Sequence, residues 1–194
     1  MYRKAFGQEQ TTKRQLNSLG FEKAPAENGR IRVDGDWTDV AKLNVSLRSG
    51  ERVLIQLAQF TAVTFDELYE GVYAIPWENY LTVESKILMD GKSVQSTLAA
   101  IKAAGGVAKK AIIRRLGDKI KTGRKTFTET GARTIVGVSL FKDVATITID
   151  TSGDGLHKRG YRSLAYSAPL KETLAAGIIP EMSGISPFRR KSLT

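Results

Sequence analysis

The stretch Asp150-Thr151-Ser152-Gly153-Asp154-Gly155-Leu156-His157-Lys158-Arg159-Gly160-Tyr161-Arg162 closes one kind of structure and opens another. Before it, Thr146, Thr148 and Asp150 alternate with Ala145, Ile147 and Ile149, the pattern of a half-buried strand. A Gly-rich turn follows. The only histidine of the chain, three Lys/Arg side chains and a tyrosine then arrive within six residues. Cations and an aromatic ring projected from a sheet edge suit a polyanion with stackable bases. By composition alone a solvated surface loop fits equally well, because turns are polar.

The charge map bears on that choice. The net charge of the 194 residues is +10, and hydrophobic residues make up 41%, a globular composition rather than a disordered one. Residues 1–85 are net −2, 86–125 net +9, 126–156 net −2 and 157–194 net +5. The excess therefore sits in two blocks, which implies acidic partners. A membrane-surface helix would set a broad Trp/Phe/Leu face against its cations. The basic helix expected at 107–121 has only small aliphatics there, so nucleic acid is favoured. No apolar run approaches the ~20 residues of a membrane helix, and the N-terminus lacks the apolar core of a secretory signal. The chain has no cysteine, which excludes disulfides and thiolate metal sites and fits a cytoplasmic protein.

Working outward from the turn, residues 1–60 read as β-α-β-β-α-β, the order of a split ferredoxin-like unit. A short strand is expected at 2–6 and a helix at 8–19 closed by Gly20. Strands at 21–26 and 30–33 flank an Asn28-Gly29 turn. A helix at 38–47 is capped by Asp36, and a strong strand spans 53–60. The second unit opens with a helix at 65–74, capped by Thr64 with Glu67 three residues on, and with Phe65, Leu68 and Val72 on its inner face. A strand at 81–89, a helix at 93–103 broken by Gly105-Gly106, a helix at 107–121, and a hairpin of 133–141 with 144–150 follow. A last helix is expected at 170–179, with Pro169 near its start and Pro180 stopping it.

In the helix at 107–121, Ala111, Ile112 and Leu116 share one side. Lys110, Arg114 and Lys121 share another, flanked by Lys109 and Arg115. Like charges four residues apart repel by a few tenths of a kcal/mol, which a bound polyanion would relieve. Gly105-Gly106 ahead of the helix would offer free N–H groups to a phosphate. With Lys92, Lys102, Arg124 and Lys125, and with His157, Lys158, Arg159, Tyr161 and Arg162, these side chains form the candidate RNA-binding set. No nucleophile motif accompanies His157, so no catalytic residue is assigned. No metal-ligand cluster, dinucleotide loop or phosphate loop is present, and no cofactor site is expected in this chain.

The run from Asp150 to Arg162, continued by Ala168-Pro169-Leu170-Lys171-Glu172-Thr173-Leu174-Ala175-Ala176, resembles the junction of bacterial THUMP-domain rRNA methyltransferases. Thr64-Phe65-Asp66-Glu67-Leu68, Pro76-Trp77-Glu78-Asn79-Tyr80 and Lys92-Ser93-Val94 resemble the same family. The resemblance implies an α+β chain: a ferredoxin-like βαββαβ domain at 1–60, a THUMP α/β RNA-binding domain at 61–162, and at 163–194 a linker with the first helix of a truncated Rossmann-like methyltransferase domain. It implies an enzyme that uses S-adenosylmethionine to methylate guanine N2 of large-subunit rRNA. The family's cofactor loop and Asn-Pro-Pro-Tyr-type motif have no counterpart before Thr194, so the chain reads as a fragment inactive by itself. A tRNA-directed THUMP protein and a ribosome-assembly or protein-interaction scaffold remain alternatives. The apolar Leu174, Ile178 and Ile179 leave docking onto the THUMP part or self-association open.

Overall fold

The computed structural model describes residues 2–3, 9–22, 24–27, 29–119, 129–160 and 170–183. Two compact units emerge, one built from Met1–Leu54 with Asp154–Thr194 and the other from Ile55–Gly153.

The first unit has the order β1 (Tyr2–Arg3), α1 (Glu9–Ser18), β2 (Ala26–Glu27), β3 (Arg30–Ile31), α2 (Trp37–Ser46) and the opening residues of β4 (Arg52–Thr61). Its strands lie side by side as β2-β3-β1-β4, and every pairing among the first three and between β1 and β4 is antiparallel. This is the expected β-α-β-β-α-β unit, with β1, β2 and β3 shorter than the sequence suggested. Of the strand expected at 2–6, Tyr2–Arg3 pairs and residues 4–6 lie outside the described set. Gly20 at φ +97° ends α1, where the Phe21 N–H donates back to the Leu16 carbonyl at 2.9 Å. Gly29 at φ +73° turns β2 into β3, with Glu27 opposite Arg30. Asp36 caps α2: its carboxylate accepts from the Asp39 N–H at 2.9 Å, and the Asp39 carboxylate accepts from the Asp36 N–H at 3.2 Å.

Leu16, Ile31, Leu43, Leu47 and Val53 form the core of this unit, and Leu156 of the returning segment packs against it. Gln15 fastens the turn after α2: its side-chain oxygen accepts from the N–H groups of Arg48 and Ser49, both at 3.2 Å. The last helix, α5 (Glu172–Ser183), packs on α1. It starts two residues later than expected and runs through Pro180 instead of stopping there. A proline this close to a helix end forfeits its own bond to the fourth carbonyl back and leaves the final residues able to complete the turn. Ile178 and Ile179 on it are exposed.

The second unit places the rest of β4 beside β7 (Val144–Asp150), then β6 (Arg133–Phe141), then β5 (Lys86–Val94). β6 and β7 form the expected antiparallel hairpin, with Phe141 opposite Val144. β5 runs parallel to β6 in unbroken register from Lys86↔Arg133 to Val94↔Phe141. Parallel neighbours need a long crossover, which α4 (Ile101–Lys119) supplies. α3 (Phe65–Tyr73) is capped by the box Thr64/Glu67, with the hydroxyl accepting from the Glu67 N–H at 3.2 Å.

Several expectations change here. The strand expected at 81–89 is shifted to Lys86–Val94, so Asp90-Gly91, past its expected end, lies inside it. The helix expected at 93–103 does not form, since Ser93 and Val94 end β5, and the break at Gly105-Gly106 does not exist, since α4 runs from Ile101 through both glycines. Gly105 is buried against β5, where an added Cβ would stand 3.4 Å from the Met89 Cβ. Gly105 thus packs on a strand within a continuous helix and does not form a turn. β7, expected to be half-buried, is covered on both faces: Thr146 and Thr148 are buried like Ala145 and Ile147. Leu68 and Val72 face the core as expected, whereas Phe65 is 37% exposed.

Candidate nucleic-acid interface

α4 presents two faces. Ala104, Ala108, Ala111, Ile112 and Leu116 are buried in the core of the second unit. Opposite them, the ridge of residues spaced by four, Lys102, Gly106, Lys110, Arg114 and Asp118, is exposed along its whole length. The phosphate seat expected at a helix start after Gly105-Gly106 is therefore absent, because the glycines stand mid-helix.

The cations of α4 divide into tethered and untethered ones. The Lys109 ammonium meets the Glu129 carboxylate at 2.6 Å. Arg114 Nε donates to Asp118 at 3.0 Å, one helical turn on. Arg115 grips Glu78 with two bonds, 3.1 Å from Nε and 2.8 Å from Nη2, and its guanidinium lies 5.8 Å from the centre of the Tyr73 ring. Among the described residues Lys102 and Lys110 have no ion pair. They are the ridge's free positive charges. Lys92, half-buried within β5, has partners of its own.

These pairings shift titrations. The hydrogen bond from Arg115 holds the Glu78 carboxyl below its ordinary value of 4.5, and the bond from Lys109 lowers that of Glu129. The hydrogen bond to Asp118 raises the Tyr73 hydroxyl above 10.0. A carboxyl depressed by folding adds stability above its unfolded value, and that stability is lost as pH falls through its folded value. Stability should thus fall more steeply between about pH 5 and pH 3 in the wild type than in Glu78→Gln. Urea titrations at stepped pH check this, and parallel curves for the two proteins count against it.

Beside the ridge a cleft of about 280 Å³ opens between α4 and the β5–β6 pair. Met89, Ile101 and Val138 line it, with Lys102, Gly106 and Asp90 also on its wall. Sequence reasoning missed it because its wall comes from three elements. The one available signal was the Gly105-Gly106 pair.

The remaining candidates lie in the first unit or outside the described residues. Arg124, Lys125, Tyr161 and Arg162 are not described. Lys158 is exposed, and its N–H donates to the Gly155 carbonyl at 2.8 Å. The His157 ring closes over Gly155, where an added Cβ would fall 2.7 Å from Cε1, and its Nδ1 is buried without a partner among the described residues. Arg159 turns inward. Its Nη2 donates to the carbonyls of Asn44 at 2.9 Å and Leu47 at 2.6 Å, Nη1 to Val45 at 2.5 Å, and Nε to Leu156 at 3.0 Å. Four of its five N–H donors are engaged by backbone.

Residues 3–54 match the family model of the RlmL ferredoxin-like domain, and residues 62–150 match that of the THUMP domain. The chain carries both domains. The THUMP domain thus contains the cationic ridge and the cleft, and the ferredoxin-like domain contains the carbonyls that Arg159 binds. The chain is 40% identical over 190 residues to "Putative RNA methyltransferase YpsC" of Bacillus subtilis (strain 168), covering 94% of this chain and 49% of that protein. It is 33% identical over 165 residues to ribosomal RNA large subunit methyltransferase K/L of Psychromonas ingrahamii, covering 85% of this chain and 22% of that protein. The crystal structure of "SMU.472, a putative methyltransferase complexed with SAH" matches with a TM-score of 0.83 at 39% identity, over 92% of this chain and 47% of that one. The chain spans half the length of these relatives or less. No helix among the described residues is long and apolar enough to cross a membrane.

Proposed function

We propose that the two domains form the RNA-docking half of an S-adenosylmethionine-dependent rRNA methyltransferase, presenting structured large-subunit rRNA for methylation at guanine N2. The observation that carries this reading is the ridge of α4. It exposes Lys102, Lys110 and Arg114 on the THUMP domain, and two of these cations lack a protein counterion among the described residues. Free cations aligned along one face gain most from phosphates, which release their condensed counterions on contact. The names of the K/L and YpsC relatives support RNA as the polyanion and methyl transfer as the chemistry of the whole protein.

S-adenosylmethionine is the cofactor this reading implies for the whole protein. The cleft beside α4 does not fit it. Lys102 and Lys109 stand on its wall against the single carboxylate of Asp90, a poor setting for a sulfonium cation. This chain's part is to bind and orient RNA. Arg159, consumed by the carbonyls of α2, is left out of the proposed interface, and Lys158 remains as the exposed cation of the 157–160 segment.

Binding to an rRNA stem-loop should weaken steeply with salt. The triple variant Lys102→Gln/Lys110→Gln/Arg114→Gln should bind at least tenfold more weakly at moderate salt. Its log–log salt slope should be shallower by about 2–3, roughly 0.9 per lost phosphate contact. Fluorescence anisotropy across a salt series reads both quantities, and an unchanged slope would remove the ridge from the interface. Survival of N2-methylguanosine in large-subunit rRNA when the gene is deleted would remove guanine N2 from the proposal.

A further inference from the structure

Glycine inside a helix is unfavourable relative to alanine, so each one calls for a reason. In α4 the two neighbours differ. Gly105 is buried against Met89 of β5, where an added Cβ would make van der Waals contact. Gly106 has no such reason: it is exposed, and a Cβ built there meets nothing within 4 Å. The space it leaves is the wall of the cleft of about 280 Å³.

The position of that gap has chemical content. Gly106 interrupts the ridge midway between Lys102 and Lys110, four residues from each. The two lysines are about 12 Å apart along the axis at 1.5 Å rise per residue. The cleft behind the gap has the apolar side chains of Met89, Ile101 and Val138. Cations on either side of a notch with an apolar, thioether-bearing wall suit one flat aromatic group carried on a phosphate backbone. The cleft's volume is close to the lower end of small-molecule sites, ~300 Å³, so it takes one such group and not a stacked pair.

We propose that this cleft receives a single unpaired nucleobase of the bound RNA while the flanking phosphates lie on Lys102 and Lys110. The inference rests on the RNA-docking reading and deepens it: the preferred ligand is RNA with an unstacked base in a loop or bulge. A base held in a duplex cannot enter a side pocket, and sequence-specific RNA contacts generally need bases splayed out of the helix.

The experiment uses the full chain and two probes, an RNA stem-loop with 2-aminopurine in its loop and a blunt duplex of the same length. Gly106→Leu fills the notch, leaves the charge unchanged and replaces a poor helix former with a good one. It should weaken stem-loop binding tenfold or more and leave duplex binding within twofold of wild type. Gly106→Ala, adding one methyl group, should stay within twofold on both probes. With wild type, the emission of 2-aminopurine should change at one loop position on binding, a readout that needs no variant, and Gly106→Leu should abolish that change. Equal stem-loop affinity for Gly106→Leu and wild type, or no emission change at any loop position, overturns the cleft inference. The ridge keeps its own test in the salt slope, so loss of one reading is distinguishable from loss of the other.

Discussion

Replacing Trp77 with alanine is expected to lower the unfolding free energy of the THUMP domain by about 3–5 kcal/mol. Trp77 is fully buried and is the largest side chain of that core. It also answers a backbone group: its indole N–H donates to the Val72 carbonyl at 2.7 Å, where α3 is ending. Truncation would leave a cavity and remove the 2.7 Å bond to the Val72 carbonyl, which keeps the longer one from the Ile75 N–H at 3.3 Å. Trp77→Phe separates the two, since it retains most of the apolar volume and loses the bond, and it should cost about 1–3 kcal/mol. Against total stabilities of ~5–15 kcal/mol, the alanine variant should unfold at a visibly lower urea midpoint with little change in slope. A midpoint within experimental error of wild type would show that the turn at 77–79 does not anchor the core. Glu78 follows directly in the chain, so a loosened turn also releases Arg115 and adds a free cation to α4.

The second large effect is expected at Arg159, where alanine should destabilise the ferredoxin-like domain by about 2–4 kcal/mol. Its guanidinium answers three carbonyls at the end of α2, groups that no later helical turn can satisfy. A cation at that end also meets the negative pole of the helix, and charged hydrogen bonds contribute ~1.5–3 kcal/mol each before coupling among them is counted. Lysine keeps the charge but cannot fork to several carbonyls, so Arg159→Lys should recover less than half of the loss. Hydrogen exchange should show protection falling across residues 37–47. The salt slope of RNA binding at the α4 ridge should not move. If Arg159→Ala instead flattens that slope and leaves protection intact, the side chain belongs to the interface.

Much of the fold was written locally. The Asp36 cap and the Thr64/Glu67 box need partners only three residues apart, and both formed as read, with the return bond from Asp39 added at the first. The hairpin at Lys142-Asp143 was legible from the alternation on either side, although both residues take positive φ, +50° and +61°. The misreadings share a cause, which is distance along the chain. Asp90-Gly91 and Gly105-Gly106 carry turn residues, yet the first pair is held in a strand by β6, some 47 residues later, and the second lies within α4, whose buried face packs in the core of the second unit. The interface was legible as charge but not as free charge. Glu78 and Glu129 reach their cations across 37 and 20 residues, and nothing in the spacing marks them as partners. Arg159 likewise reads as a surface cation, because its acceptors are backbone carbonyls over 110 residues away.

The ferredoxin-like domain is assembled from both ends of the chain, with Ile55–Gly153 between them. A ribosome makes those ends at different times. At synthesis rates of ~5–20 residues per second, the hundred or so residues after Leu54 take about 5–20 s to appear. Throughout that interval Leu156 and Arg159 do not yet exist, so α2 must wait with its last carbonyls uncovered and its core without one side. The inserted domain, being contiguous, is under no such delay. Of these two units, the one begun first is therefore completed second, and the nascent chain passes that interval with α1 and α2 unclasped.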